Sequence, residues 1–278
     1  MSSHQFMEMK TIETINYTLK PSRITHALFD FDGTLSLIRE GWQKVMVKVM
    51  VDELLKTPRC EERRIVEQVV QGYVDKLTGK QTMYQMLRFV EEIEKRGGEA
   101  ENALHYKKRY LQLIQEHIAS RLAMLENGTA APDEYLVSGA RSFLTLLNER
   151  GIACFIASGT DEPFVKKEAG LLCLTSLFRE IWGAKDAYLT FSKKIAIERI
   201  LKETGTPGNN LVVFGDGYVE IQEAKAHGAL AVGVASNEAT RAGVNRWKRE
   251  RLIGAGADII VGDFTSTDAL LSVLFSDS

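Results

Sequence analysis

Short apolar runs rich in Ile, Val and Phe recur along this chain and alternate with stretches of helical periodicity. Runs of this length and composition are typical of strands buried inside a parallel sheet. One helical stretch is 140–150, and another begins after Ser192 and ends at Gly205. The alternation predicts an α/β fold, a doubly wound parallel sheet whose ligand site lies beyond the carboxyl ends of the strands. The predicted strands are 25–31, 152–157, 211–214, 230–235 and 258–261.

Residues 36–126 interrupt this alternation, because they carry helical patterns without a convincing strand. Breaks at 57–58, 78–82 and 96–98 divide the stretch into about four helices, and the last helix, 103–126, is long. Since the insert begins just after the first core strand, we expect it to cover the ligand site as a lid. The predicted domains are an all-helical cap of 36–126 and a Rossmann-like core of 1–35 and 127–278.

The composition limits the partners of the chain. Of its 278 residues, 45% are hydrophobic and 26% are charged, as in ordinary globular proteins. The formal charge of −2 leaves no basic excess for nucleic acid or for an anionic membrane surface. No stretch has the pattern of a targeting or transmembrane segment, and three cysteines without metal-type spacing favour a cytoplasmic location. We therefore expect a small-molecule partner, and the oligomeric state stays open, with a monomer as one possibility.

Two carboxylates, Asp30 and Asp32, come at the end of the first predicted strand. Acids on one face of a strand end repel each other unless a cation or a shared proton lies between them. A hard divalent ion such as Mg²⁺ relieves this repulsion, because it prefers oxygen ligands. Asp30 could then act as a nucleophile and Asp32 as a general acid and base. The pair alone is equally compatible with two carboxylates that cap the following turn.

The stretch from Asp30 to Thr34 resembles the first motif of the haloacid dehalogenase superfamily of phosphatases. The similarity continues in order along the chain. Ser158, at the end of the second predicted strand, is similar to the hydroxyl residue of the second motif. Asp216 and Glu220, which follow a later strand, resemble the acids of the fourth motif. The resemblance implies the phosphatase branch with a helical cap between the first and second motifs.

Two of the motifs leave a choice open. The third motif of the family is a Lys near the start of a later helix, and the chain offers Lys193 and Lys194. We prefer Lys193, because it directly follows the predicted N-cap Ser192. Glu220 stands where the family more often has Asp, so the resemblance leaves open whether it contacts a metal directly. A first-turn acid that stabilises the helix dipole is the alternative for Glu220.

The resemblance implies Mg²⁺-dependent hydrolysis of a small phosphate monoester, with a sugar phosphate as first guess, through an aspartyl phosphate at Asp30. The implied catalytic residues are Asp30, Asp32, Ser158 and Lys193. The implied metal ligands are Asp30, Asp32 through its backbone carbonyl, Asp216 and Glu220. The residues implied around the phosphate are Gly33, Thr34, Ser158, Gly159, Thr160 and Lys193. Candidates for contact with the rest of the substrate are Arg39, Trp42 and Lys80.

Other functions remain possible at this point. A phosphomutase of the same fold would share the core residues and return the phosphoryl group to its substrate. An inactive relative that binds a phosphate ligand or a protein is favoured only by Glu220. The basic stretch 246–251 contains an interleaved acid, which favours a solvated helix face over a nucleic-acid site. The histidines show no paired metal spacing, and we assign them no chemistry.

Overall fold

The computed structural model describes residues 12–16 and 23–275. Within them one seven-stranded sheet has the order β1-β7-β6-β5-β2-β3-β4, and all neighbouring strands are parallel except β1, which is antiparallel to β7. This confirms the predicted α/β fold. The strands are β1 (Ile12–Thr14), β2 (His26–Phe29), β3 (Ala153–Asp161), β4 (Glu180–Ala184), β5 (Leu211–Gly215), β6 (Leu230–Val234) and β7 (Ile259–Val261).

The helices follow the predicted alternation with the sheet. Ser192 caps α7 as expected, since its Oγ accepts a hydrogen bond from the Ile195 N–H at 3.1 Å, and Gly205 ends that helix with a φ of 64°. No helix of the described ranges is long and apolar enough to cross a membrane. The helices are α1 (Trp42–Leu54), α2 (Arg63–Leu77), α3 (Thr82–Lys95), α4 (Ala103–Glu126), α5 (Ala140–Glu149), α6 (Glu162–Leu171), α7 (Lys193–Thr204), α8 (Tyr218–Ala226), α9 (Arg246–Gly254) and α10 (Thr267–Leu274).

Four of these helices, α1 to α4, occupy the predicted insert, and they are separated at the predicted breaks. Their apolar faces are buried, as at Phe89 and Ile114, and they belong to the same hydrophobic cluster as Phe29 and Ile156 of the sheet. The insert is therefore packed against the sheet and does not stand apart from it. The domain limits at 35/36 and 126/127 stay a prediction.

The middle of the sheet brings the ends of β2 and β5 beside β3, which continues to Asp161, so that Ser158 lies within β3 and not at its end as predicted. Phe29 at the end of β2 is paired with Phe214 of β5 on one side and with Ile156 of β3 on the other. The Phe29 and Phe214 rings stack with their centroids 4.5 Å apart, and the Asp30 N–H donates to the Phe214 carbonyl at 2.8 Å. Residues just beyond these strands consequently meet at one edge of the sheet, where the predicted motifs lie.

Candidate active site

Three carboxylates from two strand ends and one helix form a cluster at this edge. Asp30 follows β2, Asp216 follows β5, and Glu220 lies in the first turn of α8. One oxygen of each lies within 4.8 Å of the others. Gly33, with a φ of 77°, allows the close approach, because a Cβ there would collide with the Asp216 carboxylate. The arrangement can hold a hard cation between oxygen ligands.

The two candidate lysines lie in different environments. The Lys193 ammonium lies 3.0 Å from Asp30 Oδ1 and contacts Glu220, and only 5% of its side chain is exposed. Lys194 is one residue further round α7, so its side chain is 56% exposed and pairs with Glu198. The structure therefore brings Lys193, and not Lys194, to the carboxylate cluster.

Asp32 lies apart from the cluster in a hydrogen-bonded niche. Its Oδ2 accepts hydrogen bonds from the hydroxyls of Thr160 at 2.7 Å and Ser158 at 3.4 Å, and Arg39 Nε lies 3.8 Å from its Oδ1. Burial raises the pKa of Asp32 to about 7, with the nearby Arg39 charge opposing the rise. A carboxyl with this pKa can both donate and accept a proton near neutral pH. A metal contact by its backbone carbonyl stays a prediction.

Arg39, a candidate for contact with the substrate, forms a buried ion pair with Glu168. Its guanidinium donates to both oxygens of Glu168 at 2.6 to 3.1 Å, and both side chains are buried. The guanidinium carbon also lies 5.6 Å from the centre of the Phe164 ring. Arg39 and Glu168 thus form a buried ion pair beside Asp32. Arg39 borders the cavity described below, but Glu168 already accepts hydrogen bonds from its Nε and Nη2.

Lys248 is a member of the site that the sequence analysis missed. The prediction of a solvated helix face for 246–251 is wrong at this residue, because only 6% of Lys248 is exposed. Its ammonium donates to Asp216 Oδ2 at 2.7 Å, to Glu238 Oε1 at 2.6 Å and to Ser236 Oγ at 3.2 Å. Burial raises the pKa of Asp216 to about 6, and Lys248 opposes that rise. Lys248 therefore offsets the negative charge of Asp216 and Glu238, as Lys193 offsets that of Asp30 and Glu220.

A cavity of about 70 Å³ lies between the strand ends and the helical insert. It brings together most of the predicted site residues, including Lys80 and Trp42 of the insert. Gly33, Thr34 and Glu220 are not part of its wall, although Glu220 belongs to the carboxylate cluster. The wall is formed by Asp30, Asp32, Arg39, Trp42, Thr78, Gly79, Lys80, Thr82, Gln85, Tyr110, Leu111, Ser158, Gly159, Thr160, Lys193 and Asp216.

The segment between α2 and α3 closes this cavity. A Cβ at Gly159 would lie 3.0 Å from the Lys80 carbonyl oxygen, so the two backbones nearly touch. Gln81 Nε2 donates to the carbonyls of Tyr188, at 2.9 Å, and Phe191 of the core. The predicted lid therefore lies directly over the site in this structure. The sequence break at 78–82 signalled the turn, but not which core residues it meets.

The chain belongs to the haloacid dehalogenase-like hydrolase family, since the model of that family matches residues 24–228. The match includes all the predicted motifs and the helical insert, whereas Glu238 and Lys248 lie beyond it. A search of curated proteins found no match.

Several solved structures share the fold at low sequence identity. A predicted phosphoglycolate phosphatase from Haemophilus somnus is 16% identical with a TM-score of 0.61, covering 90% of this chain and 98% of that one. A predicted phosphatase from Clostridium acetobutylicum is 17% identical with a TM-score of 0.60, covering 92% and 100%. A putative beta-phosphoglucomutase from Bacteroides vulgatus is 15% identical with a TM-score of 0.60, covering 94% and 93%. At these identities the likeness establishes the fold.

Proposed function

We propose that the protein hydrolyses a small phosphate monoester, with the Asp30 carboxylate as nucleophile and Mg²⁺ as cofactor. The observation that carries the proposal is the placement of Asp30. Its carboxylate borders the cavity between the strand ends and the helical insert, has the Lys193 ammonium 3.0 Å away, and shares a cluster with Asp216 and Glu220. A buried carboxylate in such a cationic and metal-binding environment is suited to attack a phosphorus atom whose oxygens are held nearby.

The residues of the cluster fit Mg²⁺. Asp30, Asp216 and Glu220 offer carboxylate oxygens, the ligand type that this ion prefers. Both Glu220 oxygens are buried; Oε1 contacts the Lys193 ammonium, whereas Oε2 has no partner within the described residues, and an unpaired buried carboxylate oxygen is costly. A cation held by these three residues would satisfy them, so Glu220 is proposed as a ligand despite the extra methylene. When bound, Mg²⁺ supplies positive charge that offsets the charge of the phosphate and of the carboxylates.

The chemistry assigned to the chain has two halves. Asp30 attacks the phosphorus and the ester oxygen leaves, and Asp32 gives that oxygen a proton. The resulting aspartyl phosphate is hydrolysed by a water molecule whose proton returns to Asp32, so protons balance over the cycle. The pKa of about 7 for Asp32 supports this double role, because neither protonation state is strongly favoured near neutral pH.

Several residues are proposed to bind the phosphate group. Ser158 and Thr160 present hydroxyl groups beside Asp32, and Lys193 presents its ammonium beside Asp30. We assign Ser158, Gly159 and Lys193 to the phosphoryl oxygens, where donors stabilise the charge that spreads during transfer. Gly33 and Thr34 are proposed to shape the turn after Asp30 that carries the nucleophile.

The direct test is phosphate release from p-nitrophenyl phosphate by the purified full chain, with Mg²⁺ and with excess chelator. We expect turnover with Mg²⁺ and loss of at least about 100-fold on chelation, because the charges of the cluster are then uncompensated. Restoring Mg²⁺ should restore the rate. Equal rates with and without chelator would contradict the metal assignment. With a hexose phosphate as a second substrate, an isomerised sugar phosphate without phosphate release would indicate a phosphomutase instead.

Substitution of Lys193 tests its role in the site, and substitution of the adjacent Lys194 is the matched control. Lys193→Ala is expected to lower kcat/KM by about 10² to 10³-fold, the usual loss when one preorganised charge or donor is removed from a closed site. Lys194→Ala should stay within about twofold, because its exposed ion pair with Glu198 contributes little. Steady-state kinetics of the two variants measures both effects. Similar losses of kcat/KM in both variants would contradict the assignment of Lys193 to the phosphoryl oxygens.

A further inference from the structure

The cavity wall contains a buried amide that the proposed chemistry does not use. Gln85 lies on α3 of the insert, and only 2% of it is exposed. Its Oε1 is buried and has no hydrogen-bond partner among the described residues. A buried carbonyl oxygen without a hydrogen-bond donor destabilises the folded protein. A carbonyl of this kind on the wall of a substrate cavity is explained by a ligand that donates a hydrogen bond to it.

Most of the other residues that the helical insert contributes to the cavity wall are uncharged. Thr82 and Tyr110, two neutral residues, line this side of the cavity together with Gln85. The Arg39 guanidinium is engaged by Glu168, and the Lys80 ammonium lies 5.5 Å from the centre of the Tyr84 ring, a residue outside the wall. The Arg39 charge is therefore already matched by Glu168, and a carboxylate on the leaving group would have only Lys80 among the described residues as a cationic partner on this side of the cavity.

The size of the cavity limits what the wall can enclose. Its volume is about 70 Å³. A cavity of about 150 Å³ holds one benzene molecule. With a phosphate beside Asp30, a space of this volume favours a short leaving group. A glycerol-sized group fits this limit better than a hexose.

We propose that Gln85 is a specificity-determining residue, whose carbonyl oxygen accepts a hydrogen bond from a hydroxyl of the leaving group. The substrate class is then a short polyol phosphate, since a hydroxyl donates to this carbonyl whereas a carboxylate only accepts. This inference rests on the proposed phosphatase activity and adds the identity of the leaving group. It also distinguishes the chain from an enzyme for phosphoglycolate, whose leaving group carries a carboxylate.

The test compares leaving groups that differ by one functional group. We would measure kcat/KM of the Mg²⁺-loaded full chain for 2-hydroxyethyl phosphate, ethyl phosphate, glycerol 3-phosphate and phosphoglycolate. The hydroxylated esters should be preferred over ethyl phosphate by about 10- to 100-fold, because the buried carbonyl stays unpaired with the ethyl ester. Phosphoglycolate should be the poorest substrate of the set.

Variants assign the preference to one side chain. Gln85→Met keeps the length of the side chain and removes the acceptor, so the ratio between the hydroxylated and ethyl esters should fall towards one. Gln85→Leu provides the same readout if the Met variant is poorly folded. The matched control is Gln115→Leu, another amide of the cap, on α4 and outside the cavity wall, which should keep the wild-type ratio.

Failure of this inference can be told from failure of the proposed function. A wild-type preference for ethyl phosphate or phosphoglycolate would overturn the inference even if both are hydrolysed with Mg²⁺. An unchanged ratio in the folded Gln85 variants would also overturn it. Absence of Mg²⁺-dependent hydrolysis of every ester, including p-nitrophenyl phosphate, would refute the proposed function itself.

Discussion

Asp30→Asn is expected to lower phosphate release by a factor on the order of 10⁴ or more, the scale of loss when a nucleophile is removed from a preorganised site. Asn has nearly the same shape as Asp but neither its charge nor a nucleophilic oxygen. The loss should appear in kcat, because the hydroxyls of Ser158 and Thr160 and the Lys193 ammonium would still surround the phosphate. Wild-type enzyme quenched during turnover should carry covalently bound phosphate, and the variant should carry none.

A matched control for this experiment is Asp133→Asn. Asp133 lies on the surface of the core, where its 65% exposed side chain pairs with Arg141. We expect wild-type kinetics and the same covalent phosphate in this variant, since exposed ion pairs contribute little. If Asp30→Asn instead retained turnover within about tenfold of wild type, the nucleophile would be a different group. Covalent phosphate in that variant would lead to the same conclusion.

Strands were predicted correctly from the sequence where their apolar runs are uninterrupted. The five predicted strands are confirmed with shifts at their ends, the largest in β3, which is Ala153–Asp161 against the predicted 152–157 and so includes Ser158. Two strands were missed for local reasons. Ile12–Thr14 has only three residues, too few for a periodic signal, and Glu180–Ala184 contains Gly183, which weakens a strand pattern. A Cβ at Gly183 would collide with the backbone of Glu162, so tertiary packing explains this glycine.

Part of the site also followed from local sequence. The strand ends placed Asp30 and Asp216 at one edge, because the register of a parallel sheet aligns the ends of neighbouring strands. The helix start at Ser192 favoured Lys193, since a shift of one residue turns a side chain by about 100° around a helix. Patterns that depend only on nearby residues were sufficient for these features.

Other parts of the site depend on contacts between distant residues. Glu168 lies 129 residues from Arg39, and nothing in its helix indicates that the two form a buried pair. Lys248 lies 32 residues from Asp216, in a basic stretch whose other members suggest a solvated surface. Its burial is set by where α9 packs after β6. The sequence therefore predicted which groups lie together at the proposed site, but not the side chains that balance their charges.

Lys248→Met is expected to lower the free energy of unfolding of the metal-free protein by about 3 to 5 kcal/mol, the cost of leaving buried charges without their partner. The substitution keeps much of the apolar stem but removes the ammonium that lies 2.7 Å from Asp216 and 2.6 Å from Glu238. Two neighbouring carboxylates then repel each other with reduced access to water. Urea unfolding in the presence of chelator measures the change.

The adjacent residue offers a control, because Arg249 forms a partly exposed ion pair with Glu13. Arg249→Met should cost at most about 1 kcal/mol. Adding Glu238→Gln to Lys248→Met removes one of the two repelling charges, so the double variant should recover part of the lost stability. Equal losses for Lys248→Met and Arg249→Met would mean that the Lys248 ammonium does not offset the charge of Asp216. In that case Asp216 would already be neutral in the metal-free protein. Lowering the pH through about 6, the pKa of Asp216, would then leave the difference in free energy of unfolding between wild type and Lys248→Met unchanged.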